Sequence, residues 1–345
     1  MRISYWDNWK GIAIIAVVAI HASNGTAAFE EGSFNWLFGL TFRQFIDFAV
    51  PLFLAMSGYF SVKNSSGNPI SYYKGKFNRI LIPYLIWTAI YLTLKTPTSA
   101  PSTYEVLEGV FMGTGIGIGY FVIVLLQFVI LTPLFARIES KSHHVAIMAI
   151  MSVVGSVFVY YFSAFNRDHA ISEFPMYALP FFVWYPFYHA GYFLARFKGE
   201  IDITNRFKTL TLIGLIAFIS LSILEGLFWG YNGNYSFGAS QLKATCLAAS
   251  LCLFLAAISF ENKKTILDRR SPLTWLGVNS YAIYLTHMLF LTVIQKLMKR
   301  WEILYSLQPI AILLSAVFAI LLCAALIKAS QKILPNNFSR NLLGS

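Results

Sequence analysis

Apolar side chains run almost unbroken through ten stretches, at roughly residues 10–28, 43–61, 79–96, 119–136, 144–163, 178–196, 207–228, 241–259, 276–297 and 308–328. Each approaches the ~20 residues that a helix needs to cross the hydrocarbon core of a bilayer. Runs of this length read as helices, because a segment in lipid has to satisfy its own backbone hydrogen bonds. The pattern predicts an all-α, polytopic membrane protein of about ten transmembrane helices. These spans leave no soluble domain of useful size, so the expected organisation is one transmembrane domain over 1–335 and a cytoplasmic tail over 336–345. The first stretch has the outline of a signal peptide, with small residues Ala22, Ser23 and Ala27 after an apolar run. The pattern continues into further spans, so this stretch is expected to stay in place.

Composition sharpens the class. Of 345 residues, 57% are hydrophobic and 12% charged, about half the usual charged share of a globular chain. This excludes a disordered chain and a nucleic-acid-binding domain, and it does not fit an ordinary soluble enzyme. The net charge of +11 is better read as topology, since cations gather in cytoplasmic loops. With the N-terminus inside, 19 Lys and Arg fall in inner segments and 7 in outer ones (Arg43, Lys95, Arg167, Lys243, Lys296, Lys299 and Arg300), while Asp and Glu split 6 to 9 the other way. Both termini are therefore expected on the cytoplasmic side. The outer segments 97–118, 164–177 and 229–240 carry Pro, Ser, Thr, Gly, Tyr and Asn. Such groups suit a sugar and suit a membrane interface equally.

Ionisable groups inside spans are the best pointers to chemistry, because burying them without a partner is expensive. Lys10 and His21 stand 11 residues apart. On a helix that is about 1,100°, some 20° beyond three full turns, with a rise of roughly 16 Å. A cation at the inner edge thus lies below an imidazole on the same face. This suits a long anionic donor whose phosphates meet Lys10 and whose reactive end meets His21. The alternative is a structural histidine with Lys10 marking the membrane boundary. Asp47 falls at a similar depth to His21 and could orient its imidazole; an i,i+4 pair with Arg43 is the simpler reading. His287 lies mid-span with Tyr284 and Tyr281 one and two turns before it, and could line the same cavity, bind an acceptor, or pack. Ser57 and Gly58 read as close helix packing. His189 reads as packing, His143 and His144 as solvated inner-loop residues, and Glu225 as an aqueous-edge group. Cys246, Cys252 and Cys323 read as structural thiols. No metal-ligand spacing or phosphate-binding glycine loop is present.

The segment "YWDNWKGIAIIAVVAIHAS" resembles the opening of the acyltransferase-3 family of integral membrane acyltransferases. Four further segments agree in order: "VPLFLAMSGYF" (50–60), "KGKFNRILIPYLIW" (74–87), "GYFVIVLLQFVILTPLF" (119–135) and "NSYAIYLTHMLF" (279–290). In this chain Lys10 stands where the family usually has Arg, and Lys76 with Arg79 where it has paired arginines. Lys binds phosphate as a point charge without the bidentate fork. The chain resembles the stand-alone type, with no fused C-terminal hydrolase-like domain.

The resemblance implies transfer of an acyl group, most often acetyl, from acyl-coenzyme A to a hydroxyl of a cell-surface carbohydrate or its lipid-linked precursor, in a bacterial plasma membrane and without a metal. It implies His21 as the reacting histidine, with Asp47 as a candidate beside it, and Lys10, Lys76 and Arg79 on the donor's phosphates. His287 and Tyr284 are candidates for the acceptor. His21 would act as general base or as transient acyl carrier. The rival reading is a proton-coupled transporter or flippase for a glycolipid, using His21, Asp47 and His287.

Overall fold

The computed structural model describes residues 4–62, 69–95, 100–201, 204–261 and 271–344. The chain is 82% helical with no strand among the described residues, an all-α polytopic membrane protein. Arg2, Lys63, Lys263, Lys264, Arg269 and Arg270, which entered the charge comparison, lie outside the described residues.

Helices α1 (Ser4–Ala22), α2 (Phe34–Ile46), α3 (Ala49–Tyr59), α4 (Pro69–Lys95), α5 (Thr103–Phe111), α6 (Tyr120–Ala136), α7 (Lys141–Tyr160) and α8 (Phe181–Arg196) come first. They are followed by α9 (Asn205–Tyr231), α10 (Tyr235–Gly238), α11 (Ala244–Ser259), α12 (Pro272–Val278), α13 (Ser280–Lys299), α14 (Glu302–Ser306), α15 (Gln308–Ile333) and α16 (Asn336–Leu343). Every predicted apolar run falls on a helix. Among the described residues, 7 helical segments are long and apolar enough to cross a membrane. The remaining three runs are α6, α8 and α11, of 17, 16 and 16 residues. At 1.5 Å per residue they reach about 24–26 Å, a little short of a ~30 Å hydrocarbon core.

Two runs differ in detail from the unbroken helices expected. The second is interrupted at Asp47 and Phe48, between α2 and α3. Pro51 has no N–H to give to the Asp47 carbonyl four residues earlier, and its ring crowds that oxygen. The first run leaves α-helical geometry after Ala22 and continues as a 3-10 segment, Ser23–Ala28, which places His21 in the last turn of α1 rather than deep within a helix.

The chain forms two compact units, one from Met1–Leu52 with Ile203–Ser339, the other from Phe53–Asp202 with Arg340–Gly344. In the first, α1 packs on α12, α13 and α15, while α9 packs on α11, α10 and α2. The tightest approach is between α1 and α12. A Cβ on Gly11 would stand 2.3 Å from the Leu273 carbonyl oxygen, and one on Gly277 would stand 1.6 Å from that of Asp7. Both helices need glycine there because the obstacle is backbone.

In the second unit α7 packs on α8, and α6 on α4 and α8. Gly58 and Gly191 form a similar crossing, where added Cβ atoms would each stand 1.9 Å from the carbonyl oxygens of Tyr188 and Ala55. That is a packing role for Gly58. The Arg196 guanidinium donates to the Phe135 and Ala136 carbonyls at 3.1 Å each, at the end of α6. The Pro- and Ser-rich stretch before α6 contains α5, opened by a capping box of Ser102 and Glu105. Hydrogen bonds from the Ser102 backbone and hydroxyl hold the Glu105 carboxyl below its usual range. Within the segment expected as a tail, the Leu342 carbonyl accepts from the Trp87 indole at 2.9 Å, and Leu343 is buried.

Candidate active site

Everything that follows from α1 depends on its being continuous. It runs without a break from Ser4 to Ala22, so Lys10 and His21 keep their common face and the roughly 16 Å rise between them. Its N-terminal end is fixed by side chains. Tyr5 donates to the Ala257 carbonyl at 2.6 Å and Trp6, 1% exposed, to Glu261 at 3.1 Å. The Thr274 hydroxyl donates to Asn8 Oδ1 at 2.6 Å, next to the glycine crossing. Lys10 sits at the edge of this anchored region, its ammonium 3.3 Å from Asp7 Oδ1 and its side chain 26% exposed. An anion reaching Lys10 meets a cation that already has one carboxylate neighbour.

At the other end of α1, the Gln295 amide donates to the carbonyls of His21 and Ala22 at 3.1 and 3.3 Å. These carbonyls lie at the junction where α1 passes into the 3-10 segment. His21 is half-buried. Its ring centroid lies 5.4 Å from that of His287, so the structure brings these two sequence candidates together.

His287 is fully buried. Its Nδ1 lies 3.0 Å from the Ile283 carbonyl oxygen and 2.9 Å from that of Tyr284. Both are acceptors, so Nδ1 carries the proton and Nε2 presents a lone pair. That Nε2 is buried and finds no hydrogen-bond partner among the described residues. An orphaned nitrogen of this kind calls for an explanation, and the closer of the two rings beside it is that of His21. The Tyr284 ring is 6.2 Å away and stacks on Tyr281.

Asp47 does not take the place expected for an orienting group. It is fully buried at the break between α2 and α3, and its Oδ1 accepts from Arg43 Nε at 2.8 Å, the i,i+4 pair. No hydrogen bond joins it to His21 among the described residues. Arg43 is the charged neighbour within electrostatic reach of the His21 ring.

Beside this pair lies a buried polar cluster that the sequence reading missed. Lys243, read as an outer-loop cation, is fully buried, and its ammonium donates to Gln44 Oε1, the Gly238 carbonyl and the Ser240 carbonyl at 2.9, 2.8 and 2.9 Å. Ser222 donates to the same Gln44 oxygen at 2.5 Å. Thr245 donates to Glu225, which is half-buried. The available signal was Gln44, an amide beside Arg43 inside an apolar run.

The remaining candidates belong to the second unit. Lys76 is half-buried and Arg79 exposed, one turn apart on α4. His144 is a correction: it is fully buried in the first turn of α7, where its Nε2 donates to the Ile138 carbonyl at 3.0 Å. Its Nδ1 therefore accepts from His189 Nε2, at 2.6 Å. His189 also stacks on Phe135, a packing role. His143 is exposed. No group of three or more His, Cys, Asp or Glu is placed to hold a metal ion among the described residues.

The sequence model of the acyltransferase-3 family, an acyltransferase domain, matches residues 3–329. The chain belongs to this family. It is similar to a Bacillus subtilis (strain 168) protein, YfiQ, whose name describes it provisionally as a membrane-bound acyltransferase. The two are 25% identical over 73% of this chain and 70% of that protein. It is also similar to a Staphylococcus aureus (strain MRSA252) protein with the provisional name poly-beta-1,6-N-acetyl-D-glucosamine export protein, at 22% identity over 72% of this chain and 70% of that one. No solved structure matches the chain.

Proposed function

We propose that the protein moves an acyl group, most simply acetyl, from acyl-coenzyme A at the cytoplasmic face of a bacterial plasma membrane to a hydroxyl of a cell-surface carbohydrate or its lipid-linked precursor. The observation that carries the reading is the histidine pair: a half-buried His21 beside a buried His287 whose Nε2 lone pair has no partner among the described residues. Acyl-coenzyme A, when bound, supplies an acyl group already activated as a thioester. His21 takes the proton from the acceptor hydroxyl as that oxygen bonds to the acyl carbon, and returns it to the sulfur released when the C–S bond breaks. With donor and acceptor bound, a turn of the His21 ring would bring one of its nitrogens to the unpartnered Nε2 of His287, which would set the tautomer and leave the other nitrogen basic. Tyr284 lines the acceptor side of this pair. Asp47 acts on the pair through Arg43, whose guanidinium it holds.

Lys10 provides a phosphate contact one donor length from His21 on the same helix face. It already has Asp7 as a neighbour, so an incoming phosphate competes with that nearly buried carboxylate. The assignment of Lys76 and Arg79 to the donor's phosphates rests on the resemblance of "KGKFNRILIPYLIW" to the family segment. The charge bias supports both termini on the cytoplasmic side, with donor and acceptor arriving at opposite ends of α1.

A second reading is export of a glycan, which the name of the staphylococcal relative favours. Donor binding separates the two, since an exporter needs no acyl donor. Titration of acetyl-coenzyme A into the purified protein in nanodiscs should give saturable binding that weakens about tenfold or more in Lys10→Ala and Arg79→Ala. A folded protein that binds neither acetyl- nor succinyl-coenzyme A would favour the exporter.

A further inference from the structure

Just beyond the last turn of α1 the first unit has a partly open cavity of about 220 Å³. Ala22 forms part of its wall, next in sequence to His21. The polar side chains around it are those of Asn24, Gln295, Lys299, Tyr305, Gln308 and Ser315. Three amides, two hydroxyls and one ammonium offer both donors and acceptors and no carboxylate. Together with the apolar walls of Ala22, Met298 and Ala311, these groups match a ligand that carries both hydroxyl groups and C–H faces. The volume falls below the ~300–1,000 Å³ of sites that enclose drug-sized ligands, and suits a single ring.

The walls are set rather than loose. Gln308 is buried and its amide donates to the Tyr305 carbonyl at 2.8 Å, while its backbone N–H donates to Asn35 Oδ1 at 3.3 Å. Asn35 in turn donates to the Ser306 carbonyl at 2.7 Å, clamping the α14–α15 junction. The Tyr305 ring is covered by Phe29 on one side and approached by the Lys299 ammonium at 6.0 Å, so its free feature is the hydroxyl. Gly25 keeps that hydroxyl open, because a Cβ there would stand 3.1 Å from the oxygen. Gln295 ties the site to the chemistry: the amide that lines the cavity also holds the His21 and Ala22 carbonyls.

We propose that this cavity is the acceptor subsite and holds one sugar residue of a glycan chain, presenting a hydroxyl to His21. The proposal rests on the acyl-transfer reading and adds residues to it. Asn24, Tyr305 and Lys299 bind hydroxyls at the mouth, and Gln308 and Ser315 bind them at the α15 wall. Gln295 positions the last turn of α1 against the bound ring.

The test works without the glycan being identified. Membranes carrying the full-length protein are incubated with radiolabelled acetyl-coenzyme A, and base-labile label in envelope material is counted. Acetyl-coenzyme A binding is measured in parallel. Asn24 is exposed, so Asn24→Trp can block the mouth without a core rearrangement; Gly25→Leu narrows the cavity from the same segment. Both are expected to lose tenfold or more of the label while donor affinity stays within about twofold. Lys299→Ala is expected to lose less, about threefold. Labelling by Asn24→Trp and Gly25→Leu at the wild-type level would overturn the subsite and leave the acyltransferase reading standing. Loss of label together with donor binding would also overturn it, since the cavity would then be supporting the donor site. Absence of His21-dependent label from the wild type would instead bring down the parent reading.

Discussion

His287 is the residue whose surroundings constrain the chemistry most. Two carbonyls fix the proton on Nδ1, and the opposite nitrogen is left buried with a lone pair and a second imidazole close by. If it serves to hold His21, His287→Ala should lower kcat about tenfold or more while KM for acetyl-coenzyme A changes less than about twofold. A pure packing role would show as lost stability with normal turnover per folded molecule. Lys243 lends itself to a stability prediction. Lys243→Met removes three hydrogen bonds. Although Gln44 Oε1 keeps Ser222 as donor and the Gly238 carbonyl keeps the Gln44 amide, the Ser240 carbonyl loses its ammonium donor, at about 1–3 kcal/mol for an acceptor left unmet. The melting temperature in detergent should fall by several degrees, and an unchanged one would contradict the burial. Residue-level legibility followed helix continuity. Lys10 and His21 could be placed from spacing because nothing breaks α1 between them. His144 could not, since its position at the start of a span looked solvated, and only the packing of α7 on α8 brings it against His189.

Among the helices, the sequence shows where runs lie more clearly than where they break. The interruption at Asp47 and Phe48 had a visible cause in Pro51, yet hydropathy continues straight through it. The break matters because it sets Arg43 and Asp47 at the end of α2, where their pair forms beside the histidines. The α1–α12 crossing was not legible, because Gly11 and Gly277 are 266 positions apart and nothing local couples them. It makes a sharp prediction. Gly277→Ala puts a methyl group into the Asp7 carbonyl, and overpacking against backbone costs about 1–3 kcal/mol or more. Folded yield and thermal stability should fall, whereas Gly75→Ala, where an added Cβ meets nothing within 4 Å, should leave both unchanged.

For the molecule as a whole, the ten apolar runs gave the class and the placement of every long helix, because burial in lipid imposes the same composition on each span. The assembly into units was not legible. Residues 1–52 join 203–339 through contacts that no local pattern encodes. The orientation inferred from charge bias predicts that, in intact cells, a membrane-impermeant maleimide labels Ser102→Cys and spares Ser140→Cys. The reverse pattern would place the termini outside.

The most direct test of the whole account is transfer itself. Membranes with wild-type protein or His21→Ala, at matched folded amounts, are given labelled acetyl-coenzyme A, and base-labile acetyl groups in envelope carbohydrate are counted. The account predicts labelling by the wild type that drops about 10²–10⁴-fold in His21→Ala, the range expected for a lost general base. Equal labelling by the two proteins would contradict it.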